Sequence, residues 1–79
     1  MYYIYILKSS KDGKYYTGFS GDLRKRFKEH NSGNIQSTRN RRPLELIYYE
    51  AYKEKSQALR REKFLKTTKG KLQLKKQIT

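Results

Sequence analysis

Residues 2–8, Tyr2-Tyr3-Ile4-Tyr5-Ile6-Leu7-Lys8, constrain the fold more than any other stretch. Every position from Tyr2 to Leu7 is aromatic, β-branched or leucine, so both alternating faces are apolar. Such a strand must be covered on both sides, which predicts a central position in a sheet. Asp12-Gly13 is a hairpin signal, and Lys14–Phe19 reads as the returning strand. Gly18, near its end, predicts a bulge or a close backbone approach. Asp22 then caps a helix running to about Asn31, and its charge suits a helix N-terminus. A polar loop with three arginines covers residues 34–43, and Leu44–Tyr52 reads as a third strand. There Leu46, Tyr48 and Glu50 are expected on one face, against Ile47 and Tyr49. Ser56 is expected to cap a second helix, Gln57–Lys66. The tail 67–79 holds a short third helix, about Lys69–Gln77, weakened by Gly70. The order β-β-α-β-α-α predicts an α+β fold, a three-stranded antiparallel sheet flanked by helices.

The chain of 79 residues allows one domain, 1–79, with a thin core. It has no cysteine, so neither disulfides nor thiolate metal sites can fasten it. Twenty Lys and Arg against seven Asp and Glu leave a formal charge of +13. Self-repulsion of that size points to a polyanionic partner, nucleic acid first. No segment joins a basic face to a wide apolar one, and no apolar run approaches a membrane span, so no membrane partner is expected. The N-terminus shows no signal-peptide pattern, and a cytoplasmic location is expected by default.

Polar residues fall on the apolar stripes. In the first helix Leu23 and Phe27 mark the buried side, and Arg26 and His30 share its edge. An ordinary reading has Arg26 snorkelling and His30 sitting at the negative end of the helix. A chemical reading makes His30, the only histidine, a proton-transfer group. In the second helix Ala58, Leu59 and Leu65 form the stripe and Glu62 lies on it. A carboxylate facing a core needs either a cation partner, as in a structural salt bridge, or a hard metal ion. Tyr16 adds a phenol from the returning strand. Phenol, guanidinium, imidazole and carboxylate together are the parts for phosphodiester hydrolysis.

The residues also match a known family. Tyr3-Ile4-Tyr5 and Tyr16-Thr17-Gly18 resemble the paired signature tripeptides of the GIY-YIG nuclease superfamily, in its small stand-alone branch. Arg26, His30 and Glu62 follow in the family's order, and the resemblance covers about residues 2–66. Tyr3 replaces the first-motif glycine and Thr17 the usual aliphatic residue. The resemblance implies a metal-dependent DNA endonuclease, structure-selective and related to repair or recombination. It implies catalytic roles for Tyr5, Tyr16, Arg26, His30 and Glu62. Glu62 would hold one ion, Mg2+ or Mn2+, Tyr16 would be catalytic, and Tyr15 would pack on the opposite face. Arg24, Lys28, Arg39, Arg41, Arg42 and Lys66 are the expected phosphate contacts. The alternatives are a weak or inactive nucleic-acid-binding module acting with a partner protein, and a basic RNA-structural protein.

Overall fold

The computed structural model describes residues 1–78. β1 (Tyr2–Ser9), β2 (Tyr15–Ser20) and β3 (Leu44–Tyr52) form one antiparallel sheet in the order β2-β1-β3. β1 is therefore the central strand. Its hairpin to β2 turns where Asp12-Gly13 predicts. Gly13 takes a left-handed φ of +71°, and the Asp12 carboxylate accepts from the Lys14 N–H at 2.9 Å. α1 (Leu23–Asn31) starts at Asp22, whose carboxylate accepts from the Lys25 N–H at 3.1 Å. A 3-10 turn spans Arg39–Arg41, followed by β3, α2 (Lys55–Leu65) and α3 (Thr68–Ile78). Among the described residues no helix is long and apolar enough to cross a membrane.

Both faces of β1 are buried, as the apolar run requires. Ile4 and Ile6 pack with Ala58, Leu65 and Leu74 beneath α2 and α3. Tyr5 and Leu7 pack with Leu44, against Tyr16, Leu23, Phe27 and Leu46. Each such aliphatic side chain stabilises the fold by about 1.5–3 kcal/mol.

Several expectations are corrected. β1 pairs Ile6 with Tyr48 but Leu7 with Leu46, so Ile47 is an extra residue at a bulge. Leu46 therefore joins the Leu7 face while Tyr48 joins the Ile6 face, because one inserted residue flips side-chain alternation. Of the two alternatives expected at Gly18, the structure shows the close approach, to the Tyr5 ring. α2 begins at Lys55 behind Glu54, without a side-chain cap, so Ser56 lies inside the helix. Leu59 is 40% exposed and lies off the stripe. The buried edge of α2 is Ala58 and Leu65, flanked by half-buried Arg61 and Glu62. Tyr15 does turn to the α3 side, but it is 42% exposed there rather than packed. Gly70 is a packing requirement: a Cβ there would sit 2.0 Å from the Phe64 carbonyl oxygen. The cost of glycine in α3 is thus offset by close approach to α2.

The salt bridge that α2 offers the sheet comes from Arg61. Its Nε and Nη2 donate to Glu50 at 2.9 and 3.1 Å, and the Tyr48 and Tyr52 hydroxyls donate to the same carboxylate. Burial alone would raise the Glu50 pKa, but these donors outweigh it and hold it below the usual carboxylate value.

Candidate active site

The site is built on the α1 face of the sheet, and Tyr5 is its centre. Tyr5 pairs with Gly18 across β1 and β2. A Cβ on Gly18 would lie 2.3 Å from Tyr5 Cζ, so the ring rests over bare backbone. This directs the hydroxyl to His30 Nε2 at 2.8 Å. The His30 ring meets the rings of Tyr5 and Tyr16 edge to face, with centroids 5.6 and 5.2 Å away. Its Nδ1 lies 2.7 Å from Thr38 Oγ1. His30 and Thr38 are both fully buried.

Burial lowers the His30 pKa, and the Arg26 charge lowers it further, so the imidazole is neutral near pH 7. A neutral ring has one N–H and one lone pair, and Tyr5 and Thr38 occupy both positions. Burial pushes the Tyr5 phenol up to about 12, with Arg26 pulling the other way and the charges of Tyr16 and Glu62 adding to the rise. Tyr5 is therefore a protonated hydroxyl at neutral pH. Arg26 sits beside it, and contact with Tyr5 raises the guanidinium pKa. Arg26 is also 3.7 Å from Glu29. The Tyr16 hydroxyl has a long contact, 3.5 Å, from Ser37 Oγ, which is at the limit of a hydrogen bond.

Four of the expected residues, Tyr5, Tyr16, Arg26 and His30, thus gather around one phenol. Glu62 lies within electrostatic reach of Tyr5 and pairs with Lys66 at 3.3 Å one turn along α2. Among the described residues no three His, Cys, Asp or Glu side chains gather as a metal cluster. A lone carboxylate still fits Mg2+, which keeps several waters and takes phosphate oxygens for the rest.

The expected phosphate contacts divide. Arg24 and Lys28 are exposed on α1. Arg39 and Arg42 are exposed but hold the loop, donating to the carbonyls of Gly33 and Arg39 at 3.0 and 2.9 Å. Arg41 is half-buried and bound to Asp12 at 3.0 Å, and Lys66 is held by Glu62. Thr38, which fixes His30, was not foreseen. It lies in an irregular loop, where no periodicity marks an inward side chain.

The family model described as the GIY-YIG catalytic domain matches residues 1–77. The UPF0213 protein SSP2268 of Staphylococcus saprophyticus is 48% identical over 67 residues, 84% of this chain and 80% of that protein. The UPF0213 protein CPE1444 of Clostridium perfringens is 46% identical over 77 residues, 94% of this chain and 82% of that protein. The solution NMR structure of the UPF0213 protein BH0048 from Bacillus halodurans superposes with a TM-score of 0.58 at 38% identity, covering 94% of this chain and 82% of that one. Domains of the matching family are generally nucleases that cut phosphodiester bonds. By sequence and by fold, the chain belongs to the GIY-YIG catalytic domain family.

Proposed function

We propose that this chain is a single-domain, divalent-metal-dependent endonuclease acting on DNA in the cytoplasm. It selects substrates by shape and serves repair or recombination, the work of the branches its signature tripeptides resemble. The observation that carries the reading is the Tyr5 hydroxyl, 2.8 Å from neutral His30 and beside Arg26, with Tyr16 on the same imidazole.

Each group has a distinct task. Tyr5 keeps its proton, so it orients a phosphate oxygen or water by hydrogen bonding and does not act as base. His30, fixed by Thr38, holds Tyr5 in place. Arg26 balances the negative charge that grows on the phosphoryl oxygens as the bond breaks. Tyr16 has the least committed hydroxyl of the set. Its oxygen takes a proton from the attacking water as the water oxygen bonds to phosphorus and the bridging P–O bond breaks, while its own proton passes to solvent and the leaving oxygen takes one up from solvent. Glu62 would hold the divalent ion, which when bound supplies further charge neutralisation at the phosphate.

A second reading has its own support. Glu62 is occupied by Lys66 and Arg26 is partly neutralised by Glu29, which suits a module that holds nucleic acid without cutting it. Flap, fork, Holliday and single-stranded substrates incubated with Mg2+ or Mn2+ separate the two. The nuclease reading expects metal-dependent nicking that Tyr16→Phe removes without a change in melting temperature. Wild-type rates from Tyr16→Phe would refute the role of Tyr16. Tight binding with no cleavage under either metal would favour the binding module.

A further inference from the structure

On the other edge of α1 from Arg26 and His30, a groove of about 430 Å³ opens between the helix and β3. Tyr3, Leu23, Phe27, Leu46 and Tyr49 give it apolar walls, and Arg24 stands on its rim. Tyr3 is two residues from Tyr5 on β1, and Tyr49 is the β3 partner of Tyr5. The groove therefore shares a sheet face with the candidate active site. The Tyr3 and Tyr49 rings meet edge to face at 6.1 Å and 63°. Tyr49 is nonetheless 54% exposed, so much of its ring lacks a partner.

We infer that this groove binds an unpaired nucleobase of the substrate strand, stacked on Tyr49, with Arg24 neutralising an adjoining phosphate. The inference rests on the nuclease reading for the identity of the polymer. Three features select the occupant. A flat aromatic in an apolar slot matches the face of any base, whatever the sequence. The exposed guanidinium of Arg24 and the ammonium of Lys28 on the same helix complement a phosphate backbone. A second copy of the chain would bring another +13 charges to the same surface, which electrostatic repulsion opposes. The Asp22 carboxylate, also on the rim, is occupied as the α1 cap. Bases inside a duplex are stacked on each other and cannot enter, so the groove selects substrates with a displaced or single strand.

The test is binding of a single-stranded oligonucleotide carrying 2-aminopurine, followed by its fluorescence in EDTA. Wild type and Tyr49→Phe are expected to change the 2-aminopurine signal. Tyr49→Ala is expected to lose that change and to weaken binding by about 10-fold, the scale of one stacked base. Binding to a blunt duplex should not depend on Tyr49. Tyr15→Ala, which removes an exposed tyrosine from the opposite sheet face, should leave the signal intact. Tyr49→Ala binding within about twofold of wild type would overturn the inference, because one stack is worth more than that. So would a wild-type dimer in sedimentation that Tyr49→Ala dissolves, since a second copy would then fill the groove. Because no metal is present, this result does not depend on cleavage. Failure of the nuclease reading is seen separately, as wild-type protein that binds the substrates but nicks none of them with Mg2+ or Mn2+.

Discussion

Replacing Glu62 by glutamine separates a structural role from a metal-binding role. If Glu62 were a structural ion-pair partner, the mutation would strand a cation. Its partner is Lys66, at 3.3 Å in an i,i+4 pair, and the Lys66 side chain is 55% exposed. Such a pair contributes roughly 0.3–0.5 kcal/mol, because water screens it and leaves the lysine solvated when the acid is gone. For a domain of this size that is a fall in Tm of at most about 4 °C. Removing a negative charge near Tyr5 and the phosphate site should also leave metal-free DNA binding intact or slightly tighter. Mg2+-dependent nicking, by contrast, should disappear. A thermal melt, a binding titration in EDTA and a nicking assay on the one variant give all three values. A Tm lower by more than about 10 °C, with residual activity tracking the folded fraction, would mean a loss above about 1–2 kcal/mol and would refute the metal assignment.

Gly18→Ala should drive a methyl into the Tyr5 ring, whose Cζ would be 2.3 Å away. Overpacking of this kind costs about 1–3 kcal/mol, and a melt together with the loss of the His30 imidazole signal by NMR would register it; an unchanged melt would contradict the close approach. Acid should destabilise the protein in two steps. Burial and the Arg26 charge hold the folded His30 pKa below the ordinary 6.5 of an imidazole, so its contribution is complete above that pH and declines as the unfolded chain takes up a proton below it. Glu50, held below 4.5, contributes fully above that value, and its share is lost as pH falls through the depressed folded pKa. Arg61→Met should lower Tm and flatten only the second, more acid step of the Tm–pH curve; an unaltered acid limb would remove the Glu50 network from the account. Five of the expected phosphate contacts, Arg24, Lys28, Arg39, Arg42 and Lys66, are exposed, and Lys66 is already paired with Glu62. With four neutralised phosphates on duplex DNA, log K should fall against log[salt] with a slope of about −3.6, and a slope near zero would remove the polyanion argument.

The central strand, the Asp12-Gly13 turn, the Asp22 cap and the inward edge of α1 were all legible in the sequence, and the two signature tripeptides pointed to the family. These features are local. Side-chain period, turn chemistry and capping act within a few residues, so a short window of sequence carries them. What tertiary structure decided is the pairing of distant segments. Tyr5 reaches His30 because Gly18 lies opposite it in the neighbouring strand, and alternation alone does not specify that register. Thr38 fixes His30 from a loop that has no period to read. The bulge at Ile47 moved Leu46 to the other face from Tyr48, since one unpaired residue reverses alternation without changing composition. The same limit applies to α2. Its periodicity brought Arg61 and Glu62 to opposite edges of one stripe, but only the packed sheet gave Arg61 a carboxylate at 2.9 Å and left Glu62 near Tyr5. Within an unbroken helix or strand, sequence determined which residues share a face, and tertiary packing determined what they meet there and where a bulge reverses the pattern.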